Sequence, residues 1–162
     1  MDSPHIAMEP TQTKRRLAAI LAADVAGYTR LVEEDTEGTV AAWKSARDEF
    51  IHPILSRYAG RIVKFTGDGF LAEFQSVQDA VTGALECQEA LAGSVLTFRM
   101  GIHLGDVVDD GQDIHGEGVN IAARLEAIAD PGSICVSAAV HEQVRNRLSG
   151  EFEDLGEHAV KH

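Results

Sequence analysis

Val63-Lys64-Phe65-Thr66-Gly67-Asp68-Gly69-Phe70-Leu71 decides how the chain is read. Two apolar, β-prone runs flank Thr66-Gly67-Asp68-Gly69, the pattern of a tight β-hairpin. Such a turn holds the Asp68 carboxylate at its tip, with Lys64 four residues before it. An Asp-Gly pair between strands is by itself an ordinary turn. Chemistry at Asp68 therefore depends on what the rest of the chain brings to it.

Upstream, Leu17 to Asp24 (LAAILAAD) is a compact apolar run, the pattern of a central buried strand. It ends in Asp24, ahead of Val-Ala-Gly-Tyr-Thr. A carboxylate at the end of a central strand, before a glycine turn and a helix, is where ligands gather in α/β folds. Helix capping is the plainer role for such an aspartate. Lys14-Arg15-Arg16 reads as a solvated strand entrance, with a phosphate contact as the alternative. Thr29 to about Tyr58 is helical in pattern, with Leu31, Val40, Trp43, Phe50, Ile54 and Leu55 on an apolar stripe. Pro53 is expected to kink this helix and Gly60 to end it.

Downstream, Ser76 caps a helix to about Leu91, its core side formed by Val77, Ala80, Val81, Ala84, Leu85, Gln88 and Leu91. Val95 to Val108 alternates as a strand. Leu96, Phe98, Met100, Ile102 and Leu104 share one face, and Arg99 and His103 the other. A polar loop leads to Asp113 and a helix from about Val119 to Ala129. A short strand over 133–136, a helix from Ser137 to about Leu148 and a strand over 152–155 follow. The order strand, helix, strand, strand, helix, strand is the α+β, ferredoxin-like split βαβ arrangement. It predicts an antiparallel sheet with helices on one face and a C-terminal α/β extension. Residues 1–14 read as a flexible leader and 15–162 as one domain.

Composition narrows the partners. With 14 Lys and Arg against 26 Asp and Glu, the formal net charge is −12. That disfavours a nucleic-acid or anionic-membrane surface, which needs a basic footprint. A small anionic substrate stays possible where metal ions or placed cations neutralise it. Cys87 and Cys135 lie in apolar segments and read as buried free thiols of a reducing cytosol. No apolar run approaches the ~20 residues of a membrane span and no signal-peptide pattern is visible, so a cytoplasmic location, or the soluble part of a longer protein, is expected. His103 and His115 form no ligand set and read as packing residues.

In the split βαβ topology the first and third strands are neighbours, so Asp24 and Asp68 can reach one site. Two carboxylates on fixed strand ends suit Mg²⁺ or Mn²⁺, which take their other ligands from phosphate and water. Two such ions ~3.5–4 Å apart can serve a phosphoryl displacement. In Asp113-Ile-His-Gly-Glu-Gly-Val-Asn120-Ile-Ala-Ala-Arg124, Asn120 and Arg124 share a helix face. An amide beside a guanidinium can hold a sugar oxygen and a phosphate. The alternative is a solvated face, with Arg124 paired to Glu117 or Glu126.

The motifs A-A-D-V-A-G-Y-T, K-F-T-G-D-G-F, R-M-G-I-H-L-G-D-V and D-I-H-G-E-G-V-N-I-A-A-R-L-E, in this order and spacing, resemble the class III nucleotidyl cyclases. The resemblance covers roughly Arg16 to Lys161. It implies that Asp24 and Asp68 bind two metal ions, Mg²⁺ or Mn²⁺, and that Lys64 and Asp113 read the purine in the ATP-selecting pattern. Lysine suits the acceptor N1 of adenine, and aspartate the N6 amino donor. It implies that Asn120 and Arg124 orient the ribose and stabilise the transition state, and that Arg99 and Lys161 meet the triphosphate. Members of that family continue past the lysine through a glycine and a further strand.

The implied reaction converts ATP to cyclic AMP and pyrophosphate, by attack of the ribose 3′-oxygen on the α-phosphorus. The resemblance further implies a head-to-tail homodimer with sites at its interface. One subunit supplies Asp24, Asp68 and Arg99. The other supplies Lys64, Asp113, Asn120 and Arg124. A catalytically silent nucleotide-binding regulatory domain of the same fold is the alternative. Such a domain is expected to lose a metal aspartate or the Asn/Arg pair, and this chain keeps all four. A diguanylate-cyclase-type nucleotidyltransferase would carry a G-G-D/E-E-F-like turn instead of Thr-Gly-Asp-Gly.

Overall fold

The computed structural model of the protein describes residues 13–146. The strand expected over 152–155, Lys161, the far end of the last helix and all but the last two residues of the 1–14 leader lie outside the described residues.

Strand β1 (Lys14–Val25) is the spine. Its residues alternate between two packed faces. Ala19, Leu21, Ala23 and Val25 join the larger core; Ala18, Ile20 and Ala22 join a smaller one. Burial on both faces is why this strand is written as an unbroken apolar run. Strands β2 (Arg61–Phe65), β3 (Gly69–Phe74), β4 (Phe98–Asp109) and β5 (Ile114–His115) complete the sheet in the order β2-β3-β1-β4-β5. β1 runs antiparallel to both β3 and β4, and β6 (Ile134–Val136) pairs parallel with β4. The split βαβ order and the β1–β3 adjacency expected from the sequence are both present.

Helices α1 (Tyr28–Glu34), α2 (Thr36–Ser45), α3 (His52–Arg57), α4 (Val77–Leu91) and α6 (Ala138–Val144) flank one face of the sheet. The extension helix α5 (Glu117–Ile128) covers the other, through Ala122 against Ile20 and Ala22. The single helix expected over 29–58 is divided. Asp35 breaks it and caps α2, accepting from the Gly38 amide at 3.0 Å. Ahead of Pro53 the chain widens into a π-helical turn, Ala46–Ile51, which accommodates the proline without breaking the rod. The left-handed residue after α3 is Ala59, not Gly60.

Within α4 the buried stripe is Val77, Ala80, Val81, Gly83, Ala84, Cys87 and Leu91. Leu85, expected in the core, is 45% exposed. It falls roughly 120° round the helix from the centre of that stripe. Gln88 ties α4 to the sheet, donating to the carbonyls of Phe98 (2.9 Å) and Ser133 (3.1 Å).

Arg16 donates to Glu73 (2.8 Å) and Asp109 (2.7 Å), and Arg61 also reaches Glu73 (2.6 Å). Part of the basic entrance therefore clamps β1, β2, β3 and β4 together. Burial raises the Glu73 carboxyl, but the two arginines outweigh it and hold the group below its ordinary value. Cys87 and Cys135 are buried and free; burial pushes the Cys87 thiol up to about 12. No helix of the described residues is long and apolar enough to cross a membrane.

Candidate active site

Asp24 lies one residue from the end of β1, in register with Gly69 on β3 and Arg99 on β4. The hairpin turn closes through the Thr66 amide donating to the Gly69 carbonyl at 2.8 Å. It docks on β1 through the Val25 amide, which donates to the Asp68 carbonyl at 2.8 Å. Gly69 makes this possible: a Cβ there would stand 2.0 Å from the Ala23 carbonyl oxygen and 2.9 Å from the Asp24 Cα. Any larger residue would lever the turn, and Asp68 with it, away from Asp24. The two aspartates line one cavity of about 270 Å³, together with Ala22, Lys64, Val119 and Glu126 among others.

Lys64 reaches this face through an irregularity. The β2–β3 register shifts between Ile62 and Lys64, leaving Val63 as an extra residue. Ile62 and Phe65 pack on the larger core, whereas Val63 packs on the smaller one. With strict alternation Lys64 would share the face of Ile62 and point into the larger core. The bulge instead places it opposite Leu71, on the α5 face. There its Nζ donates to Asp113 Oδ2 at 2.8 Å, while Asp113 Oδ1 accepts from the Ile114 amide at 2.7 Å. The Lys64 ammonium holds the Asp113 carboxyl below the ordinary carboxylate range.

Arg99 grips Asp24 across the β1–β4 pair. Its Nε and Nη2 donate to Asp24 Oδ1 and Oδ2, both at 3.2 Å, and its Nη1 donates to the Ala127 carbonyl at 3.4 Å. Nη2 also lies 3.6 Å from Glu126 Oε2.

Glu126 is a residue that sequence reasoning weighed only as a partner for Arg124. It faces the cavity, and burial, with Asp24 and Asp68 nearby, pushes its carboxyl up to about 7. Its spacing carried the signal: Glu126 stands one turn after the buried Ala122, so an acid lies on the inward side of α5. Asn120 and Arg124 occupy the opposite, exposed side of that helix. Neither side chain makes a hydrogen bond or ion pair among the described residues, and neither lines the cavity. The structure thus gathers Asp24, Asp68 and Lys64 round one cavity, with Arg99 on Asp24 and Asp113 on Lys64. It leaves Asn120 and Arg124 facing outward.

His103 is half-buried on the α5 face of β4. Its Nδ1 finds no hydrogen-bond partner among the described residues, and burial holds the imidazole below its ordinary value. It does not line the cavity, in keeping with a packing role. Among the described residues no three His, Cys, Asp or Glu side chains form a metal cluster of their own. The donor set is two carboxylates. That fits a hard divalent cation completing its shell with phosphate oxygens and water, and does not fit a closed zinc-type site.

A split βαβ sheet with acidic side chains on the ends of its central strand and adjoining hairpin is the framework of the nucleotidyl cyclase catalytic domains. Residues 11–162 match the family described as the adenylate and guanylate cyclase catalytic domain, and the chain belongs to it. A relative from Rhizobium meliloti (strain 1021), named "Putative adenylate cyclase 3", is 42% identical over 166 residues, covering 95% of this chain and 28% of its own length. An adenylate cyclase from Glutamicibacter nicotianae is 32% identical over 126 residues, covering 76% of this chain and 31% of its own. The chain therefore spans about a third or less of either relative. The crystal structure of an adenylate/guanylate cyclase/hydrolase from Silicibacter pomeroyi superposes with a TM-score of 0.84 at 46% identity, over 90% of this chain and 89% of that one.

Proposed function

We propose that this domain is an adenylyl cyclase, converting ATP to 3′,5′-cyclic AMP and pyrophosphate at sites shared between two copies of the chain. The observation that carries this reading is the convergence of Asp24 and Asp68, from two separate elements, on one cavity. Adenylate cyclase names among the relatives favour the ATP reaction. Asp24 and Asp68 would hold two Mg²⁺ or Mn²⁺ ions. Bound there, the ions would supply Lewis-acid activation of the ribose 3′-hydroxyl and charge neutralisation at the leaving pyrophosphate.

The chain's own side chains do the rest. Lys64 donates to adenine N1 and Asp113 accepts from N6. The ion pair between them sets both at one purine edge before substrate arrives. Arg99 offers its guanidinium to the phosphates. Asn120 orients the ribose, and Arg124 balances the charge spread over the pentavalent phosphorus. The new bond joins O3′ to the α-phosphorus. The bond from that phosphorus to the bridging oxygen breaks, and the 3′-hydroxyl proton leaves to an aspartate of the pair or to water. Asn120 and Arg124 face outward from their own chain's cavity, so on this reading a second copy brings them, together with its Lys64 and Asp113, over the triphosphate held at Asp24, Asp68 and Arg99.

Product chromatography after incubation with Mn-ATP or Mn-GTP tests the reading. Cyclic AMP from ATP is expected, and none from Asp68→Ala at unchanged circular dichroism. Cyclic GMP as the sole product, or full activity in Asp68→Ala, would refute it.

A further inference from the structure

The Arg99 guanidinium stands between two carboxylates. Its Nη2 is 3.2 Å from Asp24 Oδ2 and 3.6 Å from Glu126 Oε2. Glu126 Oε2 is buried and accepts no hydrogen bond among the described residues, although the Glu126 carboxyl also lies within hydrogen-bonding reach of the Asp24 side chain. A buried carboxylate oxygen without a donor is costly and calls for a reason. Its place is also imposed by the fold. Arg99 and Gly101 share a face of β4, and a Cβ on Gly101 would stand 2.3 Å from the Glu126 backbone nitrogen. The bare strand at Gly101 lets α5 settle so closely that Glu126 lands beside Arg99.

We propose that Glu126 is a positioning residue that offers Arg99 a second carboxylate, so that Arg99 releases Asp24 to a divalent cation without leaving the site. This rests on the reading of Asp24 and Asp68 as metal ligands. In this structure both Asp24 oxygens accept from Arg99. A dication on that carboxylate competes with the guanidinium for the same lone pairs and repels it at short range. A move of about 0.8 Å brings Nη2 from its present distance to the ~2.8 Å of a charge-assisted hydrogen bond with Glu126. The Nη1 contact to the Ala127 carbonyl lies along the same stretch of α5, so the guanidinium stays anchored there. Arg99 is then held at the rim of the cavity, facing any bound phosphate.

The test is Mn²⁺ binding to the nucleotide-free chain, followed by electron paramagnetic resonance, in a double-mutant cycle. Glu126→Gln is expected to weaken Mn²⁺ binding by roughly 5-fold or more, the usual scale of a coupling between sites. Arg99→Gln removes the competitor and is expected to tighten it. In the Arg99→Gln background, Glu126→Gln should have no further effect. The same weakening in both backgrounds would make Glu126 a direct ligand or a bulk charge, and would overturn the proposal. No effect of Glu126→Gln in the wild-type background would overturn it too. Should Glu126→Gln fail to fold, Arg99→Gln alone decides, and unchanged or weaker binding counts against the proposal. Asp68→Ala separates a failure of the metal reading from a failure of the Glu126 role. Mn²⁺ binding undiminished in that variant would end the metal reading itself. Binding that depends on Asp68 but not on Glu126 would end only the positioning role of Glu126.

Discussion

Glu126 carries a thermodynamic signature that is measurable without substrate. Its carboxyl sits at about 7 in the fold, against about 4.3 for an unperturbed glutamate. Between these values the folded chain binds more protons than the unfolded one. Stability is therefore lost as pH rises through that window, and the loss is complete above about 7. Glu126→Gln has nothing to titrate there. In EDTA, the variant should gain on the wild type between pH 5 and pH 8 by an amount on the order of 1–2 kcal/mol. For a chain of this size that is roughly 2–8 °C in Tm. Thermal melts at the two pH values check it, and a gap that stays constant contradicts it. Sequence reading found Asp24 and Asp68 because each ends an apolar run at a turn. It weighed Glu126 only as a partner for Arg124 on a solvated helix face, although Glu126 follows the inward-facing Ala122 by one turn.

At the scale of elements, the site depends on close approaches of backbone to backbone. A Cβ on Gly101 would meet the Glu126 nitrogen at 2.3 Å and the Ala122 carbonyl oxygen at 2.4 Å. Neither atom can rotate aside as a side chain would. Gly101→Ala should push α5 off β4, at about 1–3 kcal/mol of stability. Turnover should fall further than that loss explains, although residue 101 does not line the cavity. Melting curves set beside kcat at a temperature where the variant stays folded would check this. Near-normal kcat would show that α5 tolerates displacement.

The hairpin itself was readable from Thr66-Gly67-Asp68-Gly69 and its flanking runs. The bulge at Val63 was not, because the apolar doublet Ile62-Val63 fits a regular strand packed on both faces as well as it fits a bulge. Yet that bulge decides which face Lys64 joins. The division of the first helix at Asp35 was missed for a similar reason: the apolar stripe continues across the cap, and periodicity alone does not see a backbone break.

At the scale of the whole molecule, the split βαβ sheet followed from element order and short connections, and the strand adjacency that brings Asp24 to Asp68 followed from the sheet. How two copies would meet in the proposed dimer does not follow from element order. The outward position of Asn120 and Arg124 makes one prediction about that. Asp24→Ala and Arg124→Ala chains, each inactive alone, should regain activity when mixed, because one site of the mixed dimer keeps every side chain. About a quarter of wild-type activity is the ceiling for random pairing, since half the dimers are mixed and each holds one intact site of two. Cyclic AMP production on mixing, with heterodimers verified by differential tagging, is the measurement. No recovery in verified heterodimers would sink the shared-site arrangement.

Helix α5 presents Glu126 toward its own chain's cavity and Asn120 with Arg124 in the opposite direction. On the dimer reading, one rigid rod serves two clefts. Any tilt that loosens its grip on one must redirect its reach into the other, so a regulator that nudges this single lever would throttle both catalytic centres together.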